Sequence, residues 1–206
     1  MKRNFLTFLV MVMAIPAMAQ DKTMNPADLD VEVRYLENGD FEDYDTYSFI
    51  TDMGNMNQDS WLAMNGIPSA MIEDALEHEM DASGMANANG QNADVIINYH
   101  MFDSEYETQA YMATEDAVFL WMSDSYADKA TLNEGTIVMN VVDANTGEVV
   151  WEGYALGVVD DNGSLSEQRS QIRMGVAQLT ERFLAFRNLG PTVAGENGRP
   201  FKSNDY

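Results

Sequence analysis

The side chains most able to do chemistry here are oxygen donors, and they gather in two places. Asp40, Glu42, Asp43 and Asp45 crowd one short segment, and "DANTGE", Asp143 to Glu148, forms a second. Clustered carboxylates suit either a hard cation such as calcium or a pair doing acid–base work. An EF-hand-type calcium loop places oxygen ligands at its first, third and fifth positions, glycine at the sixth and a bidentate glutamate at the twelfth. Counted from Asp143, the third position is Asn145, but the fifth is Gly147 and the twelfth is Tyr154. The ligand pattern fails. The same residues make a good hairpin turn: Asp143 and Asn145 can bond nearby backbone, and Gly147 tolerates a positive φ. The 40–45 cluster reads first as a solvated acidic loop, with a weak cation site as its alternative.

Other chemistries find less footing. Histidines number two, His78 and His100, too few for a zinc site without several converging carboxylates. The chain has no cysteine, so it has neither a thiol nucleophile nor a disulfide. Its serines sit in turn-like stretches such as "MSDSY" and "GSLS", with no G-x-S-x-G elbow. No strand leads into a glycine-rich phosphate loop, so the sequence calls for no cofactor. Aromatic residues are the remaining binding chemistry. Trp121 with Tyr106, Tyr111 and Tyr126 falls in the least regular segment, 103–133, where a groove for a small ligand is expected. Trp151 shares its strand face with Val149 and Ala155 by simple alternation and reads as core.

The balance of charge narrows the partners. The chain carries 34 acidic and 11 basic side chains, a formal net charge of -23. Such a field repels nucleic acid and anionic lipid and tolerates cations or basic partners. At the start, Lys2 and Arg3 precede an apolar run from Phe5 to Ile15, then Pro16 and Ala17-Met18-Ala19. That is the pattern of a secretory signal peptide over 1–19, with an exported product in the periplasm, envelope or medium. Without a cysteine there is no lipid anchor of the lipobox kind, and no later stretch suits a transmembrane helix.

These groups must be positioned by elements that the hydrophobic periodicity reveals. Val31, Val33 and Tyr35 alternate in a strand over Asp30–Tyr35, and Tyr44–Ile50 reads as a second strand after an Asn38-Gly39 turn. Ile72, Leu76 and Met80, with Ala75 beside them, predict an amphipathic helix from Ile67 to near Gly84. Its outer face carries Glu73, Glu77 and Asp81, a mutually repelling row that makes the helix depend on docking. "NANGQN" reads as a flexible joint. Ala93–Phe102 is a strand with Val95, Ile97, Tyr99 and Met101 on one face and Ile96, Asn98 and His100 on the other. Gly135–Asp143 and Glu148–Val159 flank the "DANTGE" turn. Ser164 and Glu167 have capping-box spacing, opening a helix striped by Ile172, Val176, Leu179, Phe183 and Phe186. The order is β-β-α-β-(irregular)-β-β-α. It predicts an α+β two-layer fold, a mainly antiparallel sheet with two amphipathic helices. The expected organisation is a short leader over 20–29, one domain over 30–187 and a mobile tail over 188–206.

The segments "VEVRY…FEDYDTYSF", the Ile67 helix, "ADVIINYHMF", "EGTIVMNVVDANTGEVVWEG" and the final helix follow one another in a familiar order. The chain resembles the bacterial domain-of-unknown-function family 4136, whose members are exported or lipid-anchored envelope proteins. Glu134, Gly135, Thr136, Asp143, Gly147, Trp151 and Gly153 carry the most specific part of the likeness. The resemblance implies a fold and a compartment and offers no catalytic residues. The expectation is an exported, non-catalytic envelope domain, structural or binding an unknown envelope protein. The alternative is a binder of a small ligand or cation through 103–133 and the acidic loop 40–45; a carboxylate-pair hydrolase ranks last.

Overall fold

The computed structural model describes residues 29–37, 39, 41, 43–50, 67–102, 135–160, 162–190 and 198–201. Strands β1 (Asp30–Leu36) and β2 (Thr46–Phe49) come first, then helix α1 (Ile67–Ala82) and strands β3 (Ala86–Asn87) and β4 (Val95–Met101). Next come β5 (Ile137–Asp143), β6 (Val149–Leu156), helix α2 (Leu165–Leu189) and β7 (Gly198–Phe201). The strands form one sheet in the order β3-β2-β4-β5-β6-β1-β7. Its centre is antiparallel: β4 with β5, β5 with β6, and β6 with β1. Its two margins are parallel: β2 with β4, β2 with β3, and β1 with β7. The predicted α+β class is therefore the observed one, in a sheet that is mixed at its margins.

Two placements depart from the sequence reading, at 188–206 and at "NANGQN". β1 and β2, consecutive in the chain, stand on opposite sides of the sheet. α1 lies between β2 and β4 in sequence, and a parallel pair needs such a crossover. The 188–206 stretch, expected as a tail, contributes β7, whose Gly198 to Phe201 run beside Val33 to Leu36. Pro200 is compatible with that place because an edge strand can do without one ladder N–H. "NANGQN" is a tied turn rather than a joint. Asn89, Gly90 and Asn92 take positive φ values of 49°, 78° and 51°, and Gly90 N–H donates to Ser48 Oγ at 2.9 Å.

Both helices cover the same face of the sheet. Ile72, Leu76 and Met80 of α1 and Val176, Leu179 and Phe183 of α2 join Val33, Ile97, Met139 and Trp151 in one core. Each large apolar side chain buried this way contributes about 1.5–3 kcal/mol. α2 starts as its sequence predicts. Ser164 accepts from Glu167 N–H, and the Glu167 carboxylate accepts from Ser164 N–H at 2.6 Å. That helix can lie close to the sheet because Gly175 has no side chain; a Cβ there would stand 3.1 Å from Val158 and 3.2 Å from Ile137. The Trp151 indole in turn lies across Gly153, where a Cβ would fall 2.2 Å from the ring, and meets Phe183 edge to face at 5.7 Å.

α1 is less solvated on its acidic side than the spacing implies. Tyr99 on β4 donates to Glu73 at 2.6 Å, and the Tyr47 hydroxyl on β2 lies 3.4 Å from Asp81. Two sheet tyrosines thus take up part of the repulsion along the Glu73, Glu77, Asp81 row.

Candidate functional site

The sheet face away from both helices carries the least ordinary chemistry. Strand alternation sends every second side chain there, and the register aligns those side chains into bands across four strands. Arg34 of β1 stands opposite Glu152 of β6, Glu152 opposite Asn140 of β5, and Asn140 opposite Asn98 of β4. All four are buried: Arg34 is 9% exposed, Glu152 0%, Asn140 1% and Asn98 4%. The Arg34 guanidinium lies 3.4 Å from Glu152 Oε2, and the Tyr154 hydroxyl reaches the same oxygen at 3.4 Å. Asn98 Oδ1 and Asn140 Oδ1 accept no hydrogen bond.

Apolar clusters flank this polar band on both sides. Ile50, Ile96, Val142 and Val149 form one, and Phe102, Val138 and Tyr154 the other. Val149 belongs here because the β5–β6 register shifts at Val141/Val142. A bulge breaks the alternation: Val150 and Trp151 both enter the helix-side core while Val149 faces the other way. The expectation that Val149 shares the Trp151 face is thereby corrected. His100, one pair along the strand from Asn98, sits buried against Phe102 with ring centroids 4.7 Å apart.

Chemically, the band joins a cation, a carboxylate and two carboxamides in a low-dielectric layer. Burying such groups costs several kcal/mol in lost hydration unless partners compensate. These are groups that can donate to or accept from a polar partner.

Asp143 and Asp45, the members of the two oxygen clusters with contacts in the structure, have structural roles. Asp143 Oδ1 accepts from Asn145 N–H and Thr146 N–H, both at 2.8 Å, and Oδ2 accepts from Tyr44 at 2.9 Å. Gly147 has φ 74°. "DANTGE" is thus a hairpin turn. Burial pushes the Asp143 carboxyl up, but bonds from Thr146, Tyr44 and Asn145 outweigh it and hold it below its ordinary pKa. Asp94 behaves alike. Burial raises it, while the Thr46 hydroxyl and the Thr46 and Asp45 N–H groups bring it down. In the acidic loop, Asp45 pairs with Arg187 at 2.8 Å and Asp43 is exposed. Asp40 and Glu42 lie outside the described residues, as do Trp61, Tyr106, Tyr111, Trp121 and Tyr126, so the proposed aromatic groove falls there too. His78 is exposed on α1. Among the described residues no cluster of three or more His, Cys, Asp or Glu is placed to hold a metal, and no helix is long and apolar enough to cross a membrane.

With fold and band in view, the comparisons place the chain. The model of the family described as a domain of unknown function, DUF4136, matches residues 31–183, and the chain belongs to that family. No protein of curated function matches it. A DUF4136 family protein from Bacteroides thetaiotaomicron is similar in structure, with 19% identity and a TM-score of 0.49 over 76% of this chain and 97% of that one. A PDZ domain protein from Parabacteroides distasonis has 17% identity and a TM-score of 0.45 over 75% of this chain and 35% of its own. A PelC dodecamer from Paraburkholderia phytofirmans has 13% identity and a TM-score of 0.37 over 73% and 95%.

Proposed function

We propose that this protein is an exported, non-catalytic domain of the bacterial envelope that binds a partner or small ligand through the sheet face opposite α1 and α2. The buried band of Arg34, Glu152, Asn140 and Asn98 between two apolar clusters carries this reading. Polar groups in the middle of a sheet are a poor way to gain stability, since apolar replacements of similar volume often do as well or better. Recognition gives them a use. Export is supported by Lys2-Arg3, the Phe5–Ile15 apolar run and the small residues Ala17 and Ala19.

The test has two parts. Cell fractionation with N-terminal sequencing of the recovered protein should find it outside the cytosol, starting at or near Gln20. Recovery from the cytosol with the leader attached would end the export reading. Chemical cross-linking in envelope extract should then capture a companion with the wild type and lose it with the R34M/E152L double variant. Equal capture by both would remove the face from the proposal.

A further inference from the structure

We infer that β7 is a guard strand: it closes the outer edge of β1 within its own chain, and with β7 displaced that edge pairs with the same edge of a second copy. Without β7, β1 would be a margin of the sheet, seven residues long from Asp30 to Leu36. Val31 and Val33 are buried in the helix-side core and hold it in place. A long, well-held strand with an open row of N–H and C=O groups is a template for another chain. The opposite margin has its own protection, because β3 is only two residues long. β7 supplies protection at β1. Gly198 to Phe201 pair with Val33 to Leu36, and Pro200 puts a residue without an N–H on the new margin.

The guard is light. It is four residues long, its main packing partner among the described elements is β1, and parallel pairing is slightly weaker per residue than antiparallel. It also stops short: Asp30, Val31 and Glu32 run on beyond its register and give an incoming strand a foothold. β7 lies outside residues 31–183, the stretch that carries the family's pattern. A second β1 fits the edge over its whole length. Two copies related by a two-fold axis at Val33 pair antiparallel over all seven residues. Val33 then faces its own counterpart, Val31 faces Tyr35 and Glu32 faces Arg34, opposite in sign. Strand alternation keeps Val31, Val33 and Tyr35 of both copies on the core side. The six strands from β3 to β1 in each copy join as one continuous sheet.

The experiment compares the wild type with two variants. One ends at Asn197 and lacks β7. The other, full-length R199P/F201P, leaves three consecutive prolines at 199–201 and no ladder donor among them. Analytical ultracentrifugation at physiological salt should find both variants dimerising at least about tenfold more tightly than the wild type. Charge cannot supply that gain. Residues 198–206 carry two positive side chains, Arg199 and Lys202, and one negative, Asp205, so their loss takes the formal charge from -23 to -24 and adds repulsion. In the shortened chain Glu32→Arg sets like charges opposite each other and should reverse the gain. In the wild type, the Arg199 and Phe201 amides should exchange hydrogen about 100-fold faster than those of β5 and β6. The full-length variant L36C/F201C places cysteines on two residues paired in the β1–β7 register, in a chain with no other cysteine. Adjacent strands are close enough for a disulfide, and the oxidised protein should run as a monomer on a non-reducing gel.

Folded but monomeric protein from both β7 variants would overturn the guard role. So would dimers that persist with Glu32→Arg, since the contact would then lie elsewhere, or Arg199 and Phe201 amides as slow as those of the central strands. A covalent L36C/F201C dimer would mean that copies exchange β7 instead of each closing its own edge, and would overturn it too. If the shortened chain fails to fold, hydrogen exchange and the cysteine pair still decide, because both use the full-length chain. The β1 edge is separate from the sheet face assigned to partner binding, so capture lost or kept in R34M/E152L bears on that face alone.

Discussion

Replacing Gly153 with alanine should be among the most damaging single-methyl additions in the protein, and the damage should be reversible by a second change. A Cβ on Gly153 would fall 2.2 Å and 2.7 Å from two carbons of the Trp151 six-membered ring and 2.8 Å from Leu179 Cδ2. Carbon atoms in a packed core sit about 3.5–4.0 Å apart, so the indole and α2 must both give way. Overpacking of this kind costs about 1–3 kcal/mol, and a wholly buried ring against a helix belongs at the upper end. With an m value of about 2 kcal/mol/M, a loss of ~3 kcal/mol lowers the urea midpoint by about 1.5 M. Trp151→Leu alone opens a cavity and costs about 2–4 kcal/mol. In the double variant the new methyl enters space the ring has left. The two changes should then couple by at least ~1 kcal/mol, so that the pair costs less than the sum of its parts. Urea unfolding followed by tryptophan-independent circular dichroism measures all four proteins. Strict additivity, or a G153A midpoint unchanged from wild type, would refute the steric argument.

Three further outcomes are expected. Arg34→Met leaves the Glu152 carboxylate buried without its cation and should cost about 3–5 kcal/mol, while R34M/E152L should recover most of that loss; a double variant worse than the single, measured by urea unfolding, would contradict the pairing. Asp94 and Asp143 have folded pKa values below the ordinary 3.8. The stability they supply is therefore present above 3.8 and lost as pH falls through their lower folded values. D94N and D143N should show a shallower acid decline than wild type in unfolding midpoints measured from neutral pH downwards, and identical slopes would count against this. Ser164→Ala should cost about 1 kcal/mol by removing the acceptor for Glu167 N–H, read as a lower thermal midpoint, and Ser164→Asn should recover most of it.

Short-range pattern made much of the fold legible. The four-residue rhythm of Ile72, Leu76 and Met80 and the Ser164–Glu167 box place both helices, because each signal is complete within a few turns of chain. "DANTGE" likewise reveals its turn, since the Asp143 bonds reach only two and three residues onward. What stayed hidden depends on alignment between distant segments. β4 showed Asn98 and His100 on its more polar face, but nothing local says that Asn98, Asn140, Glu152 and Arg34 fall into one line. Each of those strands carries a polar residue at an alternate position among apolar ones, and that recurrence was the available signal. The Val149–Val150 bulge defeats face assignment because one extra residue inverts the parity of everything before it. β7 was missed because Gly-Arg-Pro looks like loop and becomes strand only where β1 offers an edge. The aromatic groove of Trp121, Tyr106, Tyr111 and Tyr126 falls outside the described residues.

The separation of β1 from its partner has a consequence for how the chain is made. Arg34 meets Glu152 across 118 residues. At a synthesis rate of about 5–20 residues per second, the first strand to emerge waits roughly 6–24 s for the strand that will pair with it. Throughout that interval Val31 and Val33 lack Ala155 and Gly153, the residues they face in the finished sheet. The order of strands in the finished sheet thus lets the central pairing close only after most of the chain has been made, and slowing production should lengthen the time the first strand's apolar residues stay uncovered.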